Sequence, residues 1–588
     1  MLARRYGLLA LVIAIVLVAV LPLPDFWITQ LNYIALYSLV GMGLVLLTGV
    51  AGLTSFGQAA FVGIGAYSTA WLTLNTGLSP WLTLFIGLAI TGVSALIVAG
   101  ITLRMSGHYL PLATIAWGLS LYYLMGNVDA LGKYDGLLGI QTLSLFGIEL
   151  GQGRGFFLFA WSVVVMAAMA ILHLLDSRPG RAMRSLRTGT QMAEAMGVNT
   201  LRYKIIIFVI AALLASVSGW LFAHFQRSVN PSPFGLKMGI EYLFMTVVGG
   251  VGYVWGAITG ALLTKLLEDQ LQVLLPMLIG TSGSYETIVF GIVLVLTLKF
   301  LPNGLWSLVE HKLPRPHRLM DWANAPALSE RSKPAPGELV LDVQAIRKQF
   351  GGLVAVNDIG FQIQAGQIVG LIGPNGAGKS TTFNLITGVL SLTSGKVVFR
   401  GEDISGQRSR EIASRGMSRT FQHVKMIPDM TVLENVALGA HLRGRKDVVS
   451  AMARLNRDEE RQLLREAQGQ LERIGMGAHL HEQAGNLAMG PQRLMEIARA
   501  LCSDPALLLL DEPAAGLRHK EKQALADVLR QLRNEGMSIL LVEHDMDLVM
   551  DVCDHLVVME FGTLLTQGTP LEIQQSPAVR AAYLGTEH

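Results

Sequence analysis

Long apolar runs separated by short polar breaks dominate the first half of the chain, from Leu8 to about Leu301. A helix that crosses a bilayer needs about 20 apolar residues. Runs of about this length predict membrane spans near 8–23, 31–50, 57–75, 80–103, 109–126, 156–176, 204–226, 240–267 and 285–301. The run at 240–267 is overlong and contains Gly249, Gly250 and Gly252, so we expect two half-crossings or a re-entrant element there. Alternatively, the weakly apolar stretch 271–280 crosses separately.

From Glu338 onward the pattern changes to that of a soluble α/β domain. Short apolar runs at 368–372, 507–511 and 538–542 predict buried strands. Between the two halves, residues 302–337 combine mixed charges with several prolines, which predicts a semi-extended tether. Its prolines are Pro302, Pro314, Pro316, Pro326, Pro334 and Pro336. The predicted organisation is a polytopic α-helical membrane domain at 1–301, a linker at 302–337 and an α/β domain at 338–588.

Composition and charge agree with this division. The chain is 51% hydrophobic and 15% charged, whereas soluble domains carry about 25% charged residues. Its net charge of +3 is too small to indicate a nucleic-acid partner. Two cysteines, Cys502 and Cys553, exclude a disulfide framework and an all-cysteine metal site, and we expect both to be buried.

Basic residues predict the orientation in the membrane, because Lys and Arg accumulate in cytoplasmic loops. Arg4 and Arg5 precede a first apolar run that reaches Leu23 without an A-x-A-like cleavage site, so we predict an uncleaved transmembrane helix. Arg104 follows the fourth run, and the most basic loop follows the sixth. That loop carries Arg178, Arg181, Arg184, Arg187, Arg202 and Lys204. With the α/β domain in the cytoplasm, an even number of crossings must follow this loop, whereas the pattern gives three.

Polar side chains within the predicted spans are candidate functional groups, because they are costly in a bilayer. Gln58, His224 and Glu241 are such residues. Hydrogen bonding between helices, or a position at the interface, also explains each of them. The small-residue run FGQAAFVGIGAY at 56–67 suits close helix packing around a pathway, and packing alone also explains it.

The sequence GPNGAGKST at 373–381 fits the P-loop pattern G-x-x-x-x-G-K-[ST], and it follows a predicted strand and precedes a predicted helix. Backbone N–H groups of such a loop, and the positive end of the helix after it, bind phosphates. Lys379 is expected to contact the β- and γ-phosphates, and Ser380 to ligate Mg²⁺. The nucleotide-binding residues predicted here are Gly373, Pro374, Asn375, Gly376, Ala377, Gly378, Lys379, Ser380 and Thr381. The second domain is therefore predicted to be an α/β P-loop NTPase that uses ATP and Mg²⁺.

Two further strand ends carry candidate catalytic groups. LLLLDEP at 507–513 ends in Asp511, expected to hold Mg²⁺ through water, and Glu512, expected to orient or deprotonate the attacking water. SILLVEHD at 538–545 delivers His544 beside the γ-phosphate. Standing alone, each could be an ordinary polar strand end.

With these motifs, the second half resembles the ATPases of ABC transporters along its whole length. The resemblance implies that Gln422, in SRTFQ, is the Q-loop residue that senses the γ-phosphate, ligates Mg²⁺ and touches the permease. It also implies that Phe350 stacks on adenine and that His544 is the switch histidine. Within ABC proteins, several stretches are most similar to branched-chain amino acid importer ATPases. They include FGGLVAVND (350–358), TVLENVALG (431–439), QRLMEIARAL (492–501) and AAYLG (581–585).

The first half resembles the permease of the same system. The similar stretches are LTSFGQAAFVGIGAYSTA (53–70), residues 180–213, IEYLFMTVVGGVGYVWGAITGA (240–261) and LPNGLW (301–306). The resemblance implies that the basic loop is the coupling element, with MAEAMGVN (192–199) as the short helix that docks on the ATPase. A basic loop that only obeys the charge rule is the alternative.

The sequence departs from the family in two places. The LSGGQ-like signature motif is LAMGPQR at 487–493, where Ala488 replaces a serine and Pro491 replaces a glutamine. Arg518 stands where the family usually has Asn or Asp. Because ABC sites form between two ATPases, the altered signature is expected to weaken the site on the partner's P-loop and not the one built on Lys379.

The resemblance implies an importer subunit for branched-chain or related hydrophobic amino acids in a bacterial cytoplasmic (inner) membrane. Urea and short amides are alternative substrates, and an exporter or an ATP-gated regulator is the alternative class. Short cytoplasmic loops disfavour an exporter, and Glu512 with His544 disfavours a regulator. The implied partners are a second permease subunit, a second ABC ATPase subunit, an extracytoplasmic substrate-binding protein and membrane lipid.

Overall fold

The computed structural model describes residues 2–104, 109–145, 147–151, 153–279, 286–310, 312 and 322–584. The chain folds into two units. Unit 1 comprises Met1–Asp176, Leu201–Leu319 and Val448–Leu455, and unit 2 comprises Ser177–Thr200, Met320–Asp447 and Asn456–His588. Each unit therefore includes a segment that lies, along the sequence, inside the other half.

Unit 1 is built of apolar helices, and helices and strands are numbered here along the whole chain. Its helices are α1 (Leu2–Val20), α2 (Asp25–Leu44, continued by a π-helix at Val45–Val50), α3 (Gln58–Thr76), α4 (Pro80–Thr102), α5 (Tyr109–Asn127), α6 (Arg154–Leu175), α9 (Thr200–Gln226), α10 (Leu236–Gly249), α11 (Val254–Ile279), α12 (Glu286–Phe300), α13 (Trp306–Glu310) and α17 (Val448–Met452). Short 3₁₀ turns lie at Asp129–Leu131 and Ser232–Phe234. Two small antiparallel pairs join β1 (Leu137–Leu138) to β4 (Ser228–Val229) and β2 (Ser144–Leu145) to β3 (Ile148–Glu149).

Among the described residues, four helices are long and apolar enough to cross a membrane, by length and composition. They are Asp25–Val50, Pro80–Thr102, Arg154–Leu175 and Thr200–Gln226. The bent pair formed by α10 and α11 makes a fifth if it counts as one span. The predicted runs at 57–75 and 109–126 are also helices, α3 and α5, while Gly7–Val20 and Gly291–Phe300 are shorter apolar helices.

The overlong run near residue 250 is a broken helix pair. α10 and α11 are bent by 115° relative to each other at the short break between them. Residues 271–279 continue α11, so the alternative in which 271–280 crosses separately is wrong for the part that is described. These residues do not form a separate crossing, because α11 is one continuous helix from Val254 through its charged turn to Ile279.

Glycines allow the backbones to touch around this break. Gly250 has φ +123°, a conformation that side chains disfavour. A Cβ added to Gly49 would overlap the carbonyl oxygen of Val251, and one added to Gly260 would overlap that of Met245. The bend is therefore fixed by direct backbone contact between neighbouring helices.

Unit 2 is an α/β domain with additional helices. Its helices are α7 (Arg178–Thr188), α8 (Thr190–Ala195), α14 (Lys379–Ile386), α15 (Ser409–Ser414), α16 (Val432–Ala437), α18 (Arg457–Arg473), α19 (Met489–Leu501), α20 (His519–Asn534), α21 (Met546–Val552), α22 (Pro570–Gln575) and α23 (Pro577–Leu584). Its strands are β5 (Leu339–Phe350), β6 (Leu353–Gln364), β7 (Ile368–Ile372), β8 (Ser394–Phe399), β9 (Glu402–Asp403), β10 (Met417–Arg419), β11 (Leu507–Asp511), β12 (Ser538–Val542), β13 (His555–Glu560) and β14 (Thr563–Gly568). Short 3₁₀ turns lie at Gly439–Arg443, Gly477–His479 and Ala484–Asn486.

In the described part of unit 2, one sheet has the order β10-β11-β12-β7-β13-β14 and is parallel except for its last pair. Every residue of β7, β11 and β12 is buried, as expected for central strands covered on both faces. A second sheet, β6-β5-β8-β9, is antiparallel. Cys502 and Cys553 are free and buried, as predicted.

Part of the predicted tether packs against the α/β domain. Trp322 is 8% exposed, belongs to the core around α18, and donates a hydrogen bond from its indole nitrogen to Gln468. The backbone N–H of Arg331 donates to the carboxylate of Asp504. Trp322 is thus a core residue and not part of a free tether, because its large aromatic ring packs against an apolar surface of the α/β domain. Residues 313–321, with Pro314 and Pro316, lie outside the described residues, and the boundaries at 301 and 337 stay predictions.

Candidate functional site

The carboxyl ends of three neighbouring buried strands gather the predicted site residues at one edge of the sheet of unit 2. In this sheet Asp511 of β11 is in register with Val542 of β12, and Val542 is in register with Leu371 of β7. The P-loop follows β7, Glu512 follows β11, and His544 follows β12. Ligand sites in open parallel sheets form at this edge.

The P-loop wraps around the first turn of α14. Gly376 and Gly378 have φ of +84° and +92°, which only glycine adopts easily. Lys379 is the first residue of α14 and is buried, and its ammonium donates to the carbonyl oxygens of Gly373 at 2.6 Å and Pro374 at 3.0 Å. Burial lowers the pKa of Lys379, and the nearby Glu512 and Asp511 carboxylates oppose this shift.

The remaining P-loop residues lie on the same turn. Asn375, Gly376 and Ser380 are exposed, Ala377 is buried, and Pro374 and Thr381 are half-buried. The exposed Ser380 hydroxyl belongs to the first turn of α14, where backbone N–H groups lack helical partners. This turn therefore presents donors where a phosphate would lie.

Asp511 is a buried carboxylate with an incomplete set of partners. Its Oδ1 has no hydrogen-bond partner among the described residues, and its Oδ2 lies 3.9 Å from the guanidinium of Arg419. Burial raises the pKa of Asp511 to about 6, against the opposing effect of Arg419. An orphaned carboxylate oxygen at a strand end suits a hard cation such as Mg²⁺. No group of three His, Cys, Asp or Glu residues that could hold a metal occurs in the described ranges.

Glu512 is contacted by side chains from the segments that follow two other strands, β10 and β12. It has φ +47°, an uncommon conformation for a residue other than glycine. The side-chain amide of Gln422 donates to its Oε2 at 3.0 Å, and the same oxygen lies 3.8 Å from Nδ1 of His544. The fully buried Glu543 accepts hydrogen bonds from the backbone N–H groups of His544 and Ala514. The structure therefore brings Gln422, Glu512 and His544 together.

A cavity of about 400 Å³ opens beside Glu512. Gln422, Met489, Arg493 and Gly516 contribute to its wall. Arg493 donates to the backbone carbonyl oxygens of Phe421 and Gln422 at 3.0 and 2.6 Å, which fixes the segment after β10. Hydrogen bonds thus join the signature helix to the predicted Q-loop beside the carboxylate of Glu512.

Phe350 ends β5 with an exposed ring, and the ammonium of Lys348 lies 5.1 Å from the centre of that ring. A Cβ added to Gly378 would contact the carbonyl oxygen of Ala355, a residue of β6 that follows the β5–β6 turn. The strand pair that carries Phe350 thus approaches the P-loop, and the ring is accessible for stacking.

The altered signature motif forms the beginning of α19. Ala488 is the N-cap residue and makes no side-chain cap, and Pro491 is the third helical residue. A serine at an N-cap accepts a hydrogen bond from the first turn, and proline has no N–H to offer. This helix end therefore lacks one hydroxyl and one backbone donor.

The basic segment at 177–200 packs within unit 2. Arg181 and Glu460 form a buried, two-fold hydrogen-bonded pair at 2.8 and 3.0 Å, with side chains 2% and 5% exposed. Arg178 lies 3.3 Å from Glu459 and donates to the carbonyl oxygen of His441. Burial, together with both arginines, lowers the pKa of His441 to about 3, which keeps its imidazole neutral.

The predicted coupling helix, at 192–199, belongs to this same basic segment of unit 2. α8 packs near α15, and Gly197 has φ +79°. A Cβ added to Gly197 would overlap the side chain of Leu442. The MAEAMGVN stretch thus contacts the α/β domain by its C-terminal turn.

The polar residues predicted within the spans are separated in unit 1. Gln58 is buried, and neither polar atom of its amide has a partner among the described residues. Nδ1 of His224 donates a hydrogen bond to the carbonyl oxygen of Gln141 at 2.7 Å, and the carboxylate of Glu241 lies 3.7 Å from the ammonium of Lys237. His224 and Glu241 therefore have local partners.

Three stretches of this chain match known families. Residues 27–298 match the family described as the permease component of the branched-chain amino acid transport system. Residues 356–515 match the ABC transporter family, and residues 563–588 match the family described as branched-chain amino acid ATP-binding cassette transporter. LivG of Escherichia coli K12, a high-affinity branched-chain amino acid transport ATP-binding protein, is 43% identical over 249 residues that cover 42% of this chain and 98% of LivG. The chain belongs to the branched-chain amino acid ABC transporter family.

Other relatives of this ABC transporter cover the same part of the chain. BraF of Pseudomonas aeruginosa is 41% identical over 249 residues, 42% of this chain and 98% of BraF. A crystal structure of a nucleotide-free ATP-binding cassette from an ABC transporter is 31% identical, covers 42% of this chain and 99% of its own, and has a TM-score of 0.38. The family matches show that the chain is an ABC transporter ATPase joined to a membrane-embedded permease, with the ATPase on the cytoplasmic side of the membrane.

Three residues that contact the candidate site were not identified from the sequence. Arg419 is buried against the rings of Phe383 and Phe421, at 4.5 and 4.8 Å, and faces Asp511. Burial lowers its pKa to about 10. Arg493 and Glu543 were also missed. Arg419 is the last residue of the short buried strand β10, which was a usable signal, but the partners of all three are distant in the chain.

Proposed function

We propose that this chain imports branched-chain or related hydrophobic amino acids by using ATP hydrolysis in a bacterial inner membrane. The observation that carries the proposal is the presence, in one chain, of a match to the permease component of this system and an ATPase 43% identical to LivG over 98% of LivG. A second permease, a second ABC ATPase and an extracytoplasmic substrate-binding protein would complete the transporter.

The ATPase residues divide into binding and catalytic roles. Lys379 and the N–H groups of the P-loop turn would hold the phosphates, while Phe350 would stack on adenine. Ser380, Asp511 and Gln422 would hold Mg²⁺. When bound, that ion neutralises charge on the β- and γ-phosphates. The orphaned oxygen of Asp511 and its raised pKa support this assignment.

Glu512 would orient or deprotonate the attacking water, and His544 would contact the γ-phosphate. The support is geometric, because Glu512 and His544 follow neighbouring strands and lie 3.8 Å apart. The hydrogen bond from Gln422 to Glu512 leaves one carboxylate oxygen for water. A Q-loop that leaves Glu512 to join the metal would link nucleotide binding to the segment that Arg493 fixes.

The test is ATPase activity of the reconstituted complex in proteoliposomes, with and without binding protein loaded with leucine. Import predicts that loaded binding protein on the extracytoplasmic side stimulates hydrolysis several-fold and that labelled leucine accumulates inside. Urea or acetamide replacing leucine as the transported ligand would correct the substrate. Outward movement of substrate without binding protein, or nucleotide binding without turnover, would contradict the proposal.

A further inference from the structure

The helix α3 begins inside unit 1 without a side-chain cap. Its N-cap residue, Gly57, is buried and offers no side chain to the first turn. The backbone N–H groups of Gln58 and Ala59 begin the helix, so no earlier helical turn supplies carbonyl oxygens for their hydrogen bonds. A buried helix start of this kind is costly unless another group accepts from its donors.

This helix start lies at the depth of the spanning helices. Phe61, in the first turn of α3, makes an edge-to-face contact with Phe208, with ring centres 5.7 Å apart. Phe208 lies well inside the spanning helix α9, about 12 Å along the helix from Thr200. At this depth, backbone that is not helical is tolerated only where it is buried in protein or lines a cavity.

Two neighbouring helices hold the start of α3 in place. The backbone N–H of Phe56 donates to the hydroxyl of Thr114 on α5 at 3.2 Å. A Cβ added to Gly239 on α10 would overlap the carbonyl oxygen of Phe56. The donors of the first turn therefore have a fixed position beside α5 and α10.

Gln58, the first residue of α3, adds a side-chain amide to these donors. It is 1% exposed, and among the residues that the structure describes neither Oε1 nor Nε2 has a hydrogen-bond partner. Helical side chains lean toward the N-terminus of their helix, so this amide is directed to the side of the first backbone N–H groups. An amide buried in this way destabilises the protein unless a ligand pairs with it.

Open space lies on α5 beside the same helix start. Trp117 and Gly118 are one turn beyond Thr114, on the side of α5 that contacts α3. A Cβ added to Gly118 would meet no neighbouring atom within 4 Å, although Gly118 is buried, so the space lies inside unit 1. The indole Nε1 of Trp117 is buried and has no partner within the described part of the chain. A further donor is thus available near the first turn of α3.

These groups suit the two charged ends of an α-amino acid. Backbone N–H groups at the positive end of a helix bind carboxylates, and discontinuous helices of transporters present such ends to anionic substrate groups. The Gln58 amide can donate to a carboxylate through Nε2 and accept from an α-ammonium through Oε1. A cation alone would leave the N–H groups without an acceptor.

We propose that the first turn of α3 holds the carboxylate of the amino acid that the permease transports. The backbone N–H groups of Gln58 and Ala59, together with the Gln58 amide, bind that carboxylate, and the space beside Gly118 receives the apolar side chain. This site rests on the proposed function for the identity of its substrate.

Binding of labelled L-leucine to the nucleotide-free transporter complex, without binding protein, tests the site. L-leucinol is the second probe, because it keeps the ammonium and the side chain and replaces the carboxylate with a neutral hydroxymethyl group. Gln58→Met removes the amide at similar volume, and Asn75→Leu is the matched control, since Asn75 is an exposed amide on the same helix. We expect the affinity for leucine to fall about tenfold to hundredfold in Gln58→Met, as for a lost hydrogen bond to a charged group, and the affinity for leucinol to change less.

Three outcomes would overturn the proposal. Equal losses for leucine and leucinol would give Gln58 a structural role, and an unchanged affinity for leucine would leave its amide to a bound water. A wild-type complex that imports leucine but does not bind it would also contradict the site. Thermal unfolding checks the fold, because Gln58→Met should be at least as stable as wild type once an unpaired buried amide is removed.

Gly118→Leu tests the space independently of Gln58. An alanine at this position would leave the space open, whereas a leucine would fill it, so leucine binding should be lost. Gly100→Leu is the control, because Gly100 also has open space around it but lies on α4. Full binding by Gly118→Leu would overturn the proposal. Failure of the proposed function would appear as transport of another ligand by the wild-type complex, whereas failure of this site appears while the wild-type complex still imports leucine.

Discussion

At the residue scale, Asp511 and Glu512 are neighbours with different surroundings. Asp511 is the last residue of a buried strand and faces Arg419, whereas Glu512 turns out of the strand with a positive φ toward Gln422 and His544. The strand end thus places one carboxylate in a protected position and one beside an open cavity. This difference supports the proposed division between metal binding by Asp511 and water activation by Glu512, and it predicts different phenotypes for the two residues.

Glu512→Gln is expected to bind ATP but to hydrolyse it about 10²–10⁴-fold more slowly, the usual contribution of a general base. The glutamine oxygen can still accept from Gln422, so the site should stay assembled. Lys379→Ala should instead lose ATP binding, because the positive charge proposed to hold the phosphates is removed. Filter binding and phosphate release measure the two steps, and the exposed Glu472→Gln serves as control. Wild-type turnover by Glu512→Gln would place the base elsewhere.

Asp511→Asn is expected to stabilise the nucleotide-free protein while abolishing Mg²⁺-dependent hydrolysis. The pKa of Asp511 is raised from 3.8 to about 6, so the native state binds the proton more tightly than the unfolded state. Its contribution to stability is fully present below about pH 4 and is lost as the pH rises through 6. This pKa difference corresponds to a loss of about 3 kcal/mol in the free energy of unfolding above pH 6.

The thermal midpoint of the nucleotide-free protein measures this effect. The difference between Asp511→Asn and wild type should widen between pH 5 and pH 7, while Asp527→Asn, at an exposed carboxylate, should show no such trend. A destabilised Asp511→Asn at pH 7.5 would mean that the Arg419 contact outweighs the cost of burying the charge.

At the scale of elements, the buried pair between α7 and α18 joins the basic segment to the ATPase. A buried ion pair that loses one partner costs about 3–5 kcal/mol, because the other charge stays desolvated. Arg181→Glu or Glu460→Arg should therefore uncouple substrate-stimulated hydrolysis from uptake. The double reversal should recover much of the coupling, since the pair is restored with opposite polarity.

The ratio of leucine transported to ATP hydrolysed measures coupling. Reversal of the exposed Lys133–Asp129 pair is the control and should leave the ratio unchanged. Equal loss in the single and double variants, with normal membrane insertion, would show that the segment contributes shape and not charge.

Sequence patterns predicted local elements well and distant contacts poorly. IVGLI before GPNGAGKST predicted β7, the P-loop and α14 because all three are continuous in the chain. The packing of Trp322, the placement of 448–455 in unit 1 and the roles of Arg419 and Arg493 depend on partners far away in sequence. The glycines at 249–252 indicated a break in the helix. The angle of that break depends on the close contact between Gly49 and Val251, which are far apart in the sequence.

At the scale of the whole molecule, the altered signature predicts two unequal ATP sites, provided that a second ATPase pairs with this one. Ala488 offers no hydroxyl and Pro491 no N–H to the partner's γ-phosphate. Hydrogen bonds to charged groups are worth about 1.5–3 kcal/mol, which is about a tenfold to hundredfold loss of rate if it falls on the transition state. The site with Lys379, Ser380, Asp511 and Glu512 should carry most turnover.

Mutating each P-loop lysine in turn, in the full complex, tests the inequality. Loss of Lys379 should remove most activity, and Ala488→Ser should raise hydrolysis at the partner's P-loop, modestly if Pro491 is the larger defect. Full activity without Lys379, and none without the partner's lysine, would reverse the assignment.

The closely packed glycines around the break between α10 and α11 bear on how this protein tolerates genetic change. Gly49, Gly249, Gly256 and Gly260 each approach a carbonyl oxygen so closely that even one methyl group has no room. In a saturation-mutagenesis experiment scored by growth on leucine, substitutions at these four positions should therefore be depleted as strongly as substitutions in the P-loop. Gly100 and Gly118, which have open space around them, should drift freely to alanine. The positions of the permease that tolerate substitution least would thus be glycines, which have no side chain beyond a hydrogen atom.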